Sequence, residues 1–176
     1  MKFNILGVLK AHIKSLSDYR NQRVSTMDIL AFYFLPALFG FSLFWFCVGL
    51  GDEVFGVSIS VFSIFSALLF SAQVAMYGVF RADRKFSQDP ITQAGEKDRL
   101  EEVRVLLREI NTNISYLILV SFSSVTIFLA LYVLDLPERL ESAILGFLYL
   151  HFLLTLLMVI KRSHEVFDSE YAKPPD

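Results

Sequence analysis

The chain has 176 residues, a formal net charge of −2, a hydrophobic content of 55% and only 19% charged residues. Globular chains typically carry roughly 45–50% apolar and about 25% charged residues, and a soluble domain of this size could not bury so much apolar surface. Composition therefore excludes a disordered chain, a disulfide-stapled secreted domain and an ordinary cytosolic enzyme.

The first 25 residues are too polar for a cleavable signal. Leu6, Leu9, Ile13 and Leu16 recur there at spacings of three and four, widened by Ile5 and Val8, while Lys10 and Lys14 lie elsewhere on the wheel. This predicts an amphipathic helix that lies in the headgroup layer or packs on other helices. Ser25-Thr-Met-Asp28 has capping-box spacing and predicts a first span over 26–51 that starts near Thr26. Pro36 should kink that span, with Gly40 near its midpoint. Cys47, the only cysteine, lies inside it, so no intramolecular disulfide forms. A second span follows over 54–80.

The segment 81–109 is broken once, at Ser87-Gln-Asp-Pro90. Beyond the break, Leu100, Val103, Leu107, Ile110 and Ile114 keep a 3-4-3-4 spacing. They predict one helix that runs through this segment into a third span over 110–135. The stripe is either a seam within the chain or a seam with a partner. Pro137 should stop that helix and open the fourth, over 137–160, with Glu138 and Glu141 in its first turn. A tail over 161–176 completes the chain.

The membrane assignment rests on where charge is missing. Blocks 29–51, 54–80, 110–134 and 142–160 contain no Asp, Glu, Lys or Arg and together hold 94 residues. About 20 apolar residues cross a hydrocarbon core roughly 30 Å thick. Soluble helices would need polar outer faces, which these blocks lack. The expected fold is all-α and polytopic, with four transmembrane helices. Of 16 basic residues, 15 fall in the N-terminal segment, the middle loop and the tail. The positive-inside rule then puts both termini in the cytoplasm. Asn113-Ile-Ser115 matches a glycosylation acceptor, but this topology leaves it on the cytoplasmic side.

No constellation for catalysis, metal or cofactor binding is visible. His12, His151 and His164 lie on three different segments, and one cysteine cannot build a CxxC-type zinc site. No phosphate-binding glycine loop or HExxH occurs. The apolar blocks within the spans hold no carboxylate or Arg for ion coupling.

Three intramembrane features remain. Small residues line the second span at Gly56, Ser60, Ser63, Ala67, Ser71 and Ala75, with Gly78 beyond. In lipid such a row lets backbones approach closely, so Ser60, Ser63, Ala67, Ser71 and Ala75 are candidates for packing on the chain's own helices or on another copy. His151 sits at the centre of its block, level with Ser121, Ser123 and Ser124. It is either a polar clamp between the third and fourth spans or a gating residue. Gln73 is an interhelical hydrogen-bond donor, or a pore-lining group if copies form a ring. Outside the bilayer, Arg81, Arg84 and Lys85 cluster below the second span and suit anionic headgroups or a partner, as do Arg104 and Arg108. Acidic residues match the basic ones of this loop, so direct nucleic-acid binding is not expected.

The segment Leu9-Lys-Ala-His12, the entry Ser25-Thr-Met-Asp-Ile29, the Ser/Phe/Ala-rich second span and the cytoplasmic extension of the third resemble KwaA, the four-span membrane subunit of the bacterial Kiwa anti-phage defence system. The likeness covers most of the chain without a motif that carries residue roles across. It implies a non-enzymatic subunit that oligomerises in the inner membrane and engages a soluble cytoplasmic effector, the DNA-binding KwaB. The expected function is thus a sensor or scaffold. An oligomeric ion channel or membrane-disrupting effector is the alternative, and a lipid enzyme built on His12 or His164 a third class.

Overall fold

A computed structural model describes residues 5–16, 26–51, 53–81, 90–134 and 136–171. The elements are α1 (Ile5–Ser15), α2 (Thr26–Ile29), a π-helical turn (Leu30–Phe34), α3 (Leu35–Trp45), α4 (Glu53–Arg81), α5 (Pro90–Leu134) and α6 (Glu138–Tyr171), with no strand among the described residues. Three stretches are long and apolar enough to cross a membrane: Glu53–Gly78 in α4, Val103–Leu134 in α5 and Glu138–Asp168 in α6. The all-helical, membrane-compatible architecture expected from the charge gaps is therefore present.

The first apolar block departs from expectation. It is divided among α2, the π turn and α3, and its apolar stretch, Leu30–Trp45, is shorter than the other three. Pro36 has no N–H for the Phe32 carbonyl four residues back, and its ring presses on that carbonyl. The wider turn ahead of it accommodates the ring, and the Leu35 N–H reaches back five residues to the Leu30 carbonyl. Around Pro36 the structure thus has a π turn, one of the features at which helices kink. At the other end, Cys47 takes a left-handed φ of 53°. The Val48 N–H bonds the Leu43 carbonyl and the Cys47 N–H the Phe44 carbonyl, which is a Schellman closure. It stops α3 at Trp45, short of the expected position 51.

The other boundaries follow the sequence more closely. α5 opens at Pro90 and runs 45 residues, about 67 Å at 1.5 Å per residue. Its stripe Val103, Leu107, Ile110 and Ile114 is buried within the chain, in one cluster with Val159 and Val166 of α6. The seam is therefore intramolecular. α5 ends at Leu134, and the Pro137 carbonyl accepts the Leu140 N–H at the start of α6. α6 continues to Tyr171, so most of the expected tail is helical.

The helices pack in the order α3, α6, α5, α4, with α1 against α5. Although consecutive in sequence, α3 and α4 do not pack on each other. Close approach of α3 and α6 depends on two glycines. A side chain on Gly40 would meet the Ala143 carbonyl oxygen at 2.5 Å, and one on Gly146 would meet Leu43 and Phe39. Between α4, α5 and α6 lies an aromatic core. Phe62 contacts Phe128, Tyr149 and Phe152 at ring-centroid distances of 5.5, 5.0 and 5.1 Å, all edge-on. Such pairs add about 0.5–1.5 kcal/mol each beyond their burial.

Candidate functional site

A cluster of buried polar groups lies where α1 packs on α5, within reach of Arg162 of α6. α1 turns its His12–Ser15–Leu16 side inward and leaves Ile5, Leu6 and Ile13 exposed. The predicted apolar stripe is divided: Leu16 is buried and Val8 and Leu9 are half-buried, while the docking face also carries a histidine with 0% exposure. The His12 Nδ1–H donates to Asn113 Oδ1 at 2.8 Å. The Ser15 hydroxyl lies 2.8 Å from the same oxygen and 2.7 Å from the His12 carbonyl, and donates to one at a time. The imidazole stacks on Tyr116, with ring centroids 3.7 Å apart and planes within 7°. From α6, Arg162 donates to the Ser15 carbonyl and lies 3.1 Å from Glu109 Oε2. A guanidinium on a helix's last carbonyls is favourable for hydrogen bonding and for the helix dipole.

The cluster continues inward. The Tyr116 hydroxyl donates to His151 Nε2 at 2.7 Å, and the His151 Nδ1–H donates to the Phe32 carbonyl at 2.8 Å. These two bonds fix one neutral tautomer, with the proton on Nδ1. The acceptor is the carbonyl that Pro36 cannot serve. Phe147 stacks on the same imidazole and Tyr33 lies 5.1 Å away. A continuous path thus runs from α1 through Tyr116 and His151 to the π turn. His12 Nε2 and Asn113 Nδ2 are buried with no hydrogen-bond partner among the described residues. Each such atom costs about 1–3 kcal/mol, so the docking of α1 is polar and incompletely satisfied. Burial holds the His12 imidazole down to about 4; the bond to Asn113 opposes that, and the nearby His151 and Arg162 add to it.

The expected site residues fall in different places. His151 does clamp helices, but through Tyr116 and the Phe32 carbonyl rather than through serines. Ser121 and Ser124 are buried with no hydrogen-bond partner among the described residues, and Ser123 is exposed. Gln73 donates to the Ser115 hydroxyl at 2.7 Å and so joins α4 to α5. Ser60, Ser63, Ala67, Ser71 and Ala75 are all exposed, as are Gly56 and Gly78, so the row faces away from the chain's own helices. The Ser60 and Ser71 hydroxyls bond backbone carbonyls one turn back. Arg104 and Arg108 are exposed on α5. Arg84 and Lys85, and the side chain of Arg81, lie outside the described residues.

Sequence reasoning missed Tyr116, Asn113, Ser15 and the Arg162–Glu109 pair. One signal was available for the inner bonds. A proline inside a helix predicts an unserved carbonyl four residues back, and a mid-span histidine predicts a need for an acceptor. No family model, curated protein or solved structure matches this chain.

Proposed function

We propose that this chain is a non-catalytic sensor or scaffold subunit of a bacterial inner membrane, which assembles with its own copies and recruits or regulates a soluble cytoplasmic effector. Four segments cross in this reading, with both termini cytoplasmic. The first is the short one: Leu30–Trp45 spans about 24 Å at 1.5 Å per residue and is matched by local thinning of the bilayer. The observation that carries the assembly is the small-residue row of α4, uncovered along its length from Gly56 to Gly78. Lipid gains little from such a row, whereas another helix gains close backbone contact. The helical extensions of α5 and α6 beyond their apolar blocks, held together by Val103, Leu107 and Val166, supply a rigid surface for the effector. Arg104 and Arg108 are exposed on it. The resemblance to KwaA-like subunits supports an anti-phage setting and a KwaB-like effector.

The buried path from α1 to the π turn gives a sensor its internal coupling. The channel alternative has less support, because Gln73 and His151 already engage partners within the chain.

Purification in mild detergent, with disulfide trapping of Ser63→Cys and Ser71→Cys in a Cys47→Ser background, tests the reading. Cross-linked copies that retain a soluble partner are expected, with assembly lost in Ala67→Phe. A monomer that traps no cross-link and holds no partner would overturn it.

A further inference from the structure

The outward face of α1 has its own chemistry. Its inner side meets α5 at Asn113 and Tyr116, and Gly7, Val8 and Ala11 line a groove with Asn111, Thr112 and Ser115. The side-chain contacts of α1 on α5 thus gather at Asn111 to Tyr116, and Arg162 of α6 reaches over to its last turn. The level of these contacts is set by charge. Glu109 and Arg162 mark the outer limit of the apolar blocks, and Asn111 to Tyr116 form the first turns inside. That is the depth of headgroups and the first acyl carbons.

At about 100° per residue, Leu6 and Ile13 fall on the side of α1 opposite Val8, Ala11 and Ser15. Both are exposed, Leu6 to 70%. Lys10 flanks them, also exposed, with Lys14 one turn further. A helix at this depth, with a polar inner face, two outward aliphatics and the flanking ammonium group of Lys10, meets the requirements of an interfacial anchor.

We infer that α1 is a two-faced interfacial helix: its His12–Ser15 face latches to α5 and to Arg162 of α6 while Leu6 and Ile13 seat in the lipid surface, with Lys10 on anionic headgroups. This rests on the membrane reading but not on self-assembly or the effector. The chosen occupant is lipid, because the exposed aliphatics lie at bilayer depth and the neighbouring charges are positive.

The test uses the full chain in nanodiscs of phosphatidylcholine alone or mixed with phosphatidylglycerol. An environment-sensitive dye is placed on Leu6→Cys or, as control, on Arg104→Cys, in a Cys47→Ser background. Nitroxide lipids labelled near the headgroup should quench the dye at position 6 and not at 104, more strongly with phosphatidylglycerol. Lys10→Gln should lower the equilibrium constant for seating on the anionic membrane by about five-fold, from roughly 1 kcal/mol per lysine near an anionic surface. Quenching at 6 no greater than at 104, or equal in both membranes, overturns the inference. So does shielding at position 6 that appears only when cytoplasmic protein is added. Thermal unfolding of each labelled variant establishes that it is folded. A chain that passes this test yet remains monomeric would refute the assembly and leave the anchor standing.

Discussion

The aromatic core around Phe62 and the polar cluster around His12 are both buried, but they hold helices by opposite means. Phe62 needs no particular hydrogen bond and contacts three rings on two other helices. His12 has 0% exposure, yet it depends on Asn113, Ser15 and Tyr116, and it leaves its own Nε2 and the Asn113 Nδ2 without partners. An apolar contact tolerates small shifts, whereas a partly satisfied polar one has few intermediate states between docked and undocked. The first region gives permanence. The second gives an element whose stability is low enough to respond to its surroundings.

The strongest way to break this comparison is at Phe62. Phe62→Ala empties the junction of α4, α5 and α6 and should cost about 3–5 kcal/mol, read as lost unfolding free energy in detergent. Protection of α1 against hydrogen exchange should fall only with the whole fold. If α1 alone loosened, the two regions would not be separable.

Acidification acts on the other region. His12 titrates near 4 when docked and near 6.5 when free, so the undocked state binds the extra proton. Docking of α1 is complete above pH 6.5 and weakens as pH falls towards 4, by up to about 3 kcal/mol at 1.36 kcal/mol per pH unit. Arg162, paired with Glu109, keeps a positive charge beside the imidazole throughout. Hydrogen-exchange protection factors over Ile5–Ser15, corrected for the slowing of intrinsic exchange at low pH, should therefore fall between pH 6.5 and 4 while those of the α4 core do not. His12→Gln should flatten that profile.

Tyr116→Phe keeps the stack on His12 and removes one hydroxyl. It leaves His151 Nε2 without its donor, at a cost of about 1–3 kcal/mol. Exchange should rise at Leu30–Phe34, because the imidazole that serves the Phe32 carbonyl is no longer held at both nitrogens. An unchanged π turn would mean that the path from α1 ends at Tyr116.

How much of this was legible follows from what a charge gap encodes. Gaps fix depth, and the three long apolar helices, the opening of α5 at Pro90 and its end at Leu134 came out near the expected positions. Gaps say nothing about rotation around a helix axis, which is set by packing among four similar apolar surfaces. The small row of α4 could therefore be identified but not aimed. The glycines that bring two helices together are Gly40 and Gly146, on α3 and α6. His151 was found by its depth, but its partner was sought at the same depth. A tyrosine's long side chain carries its hydroxyl well away from its own backbone level. The sequence leaves both the lipid and the helix-packing reading of α1 open for a related reason. Hydrophobic periodicity locates the side that water avoids, and at a membrane boundary that side is free to turn to lipid while a polar face turns inward.

A change in neither region calibrates the scale. Cys47 closes α3 with φ at 53°, a conformation that costs a side-chain-bearing residue and not glycine. Its side chain is exposed, and the Schellman bonds at this end use only backbone groups. Cys47→Gly should therefore stabilise the fold by about 0.5–1 kcal/mol, reduced by the greater freedom of glycine in the unfolded chain. Cys47→Val should destabilise it by a similar amount, because a β-branched side chain is poorly accommodated at positive φ. Neither change should alter the pH profile of α1 or the exchange of Leu30–Phe34. If Cys47→Gly loosened either one, α3 would be coupled to the polar cluster along its whole length rather than only through the Phe32 carbonyl.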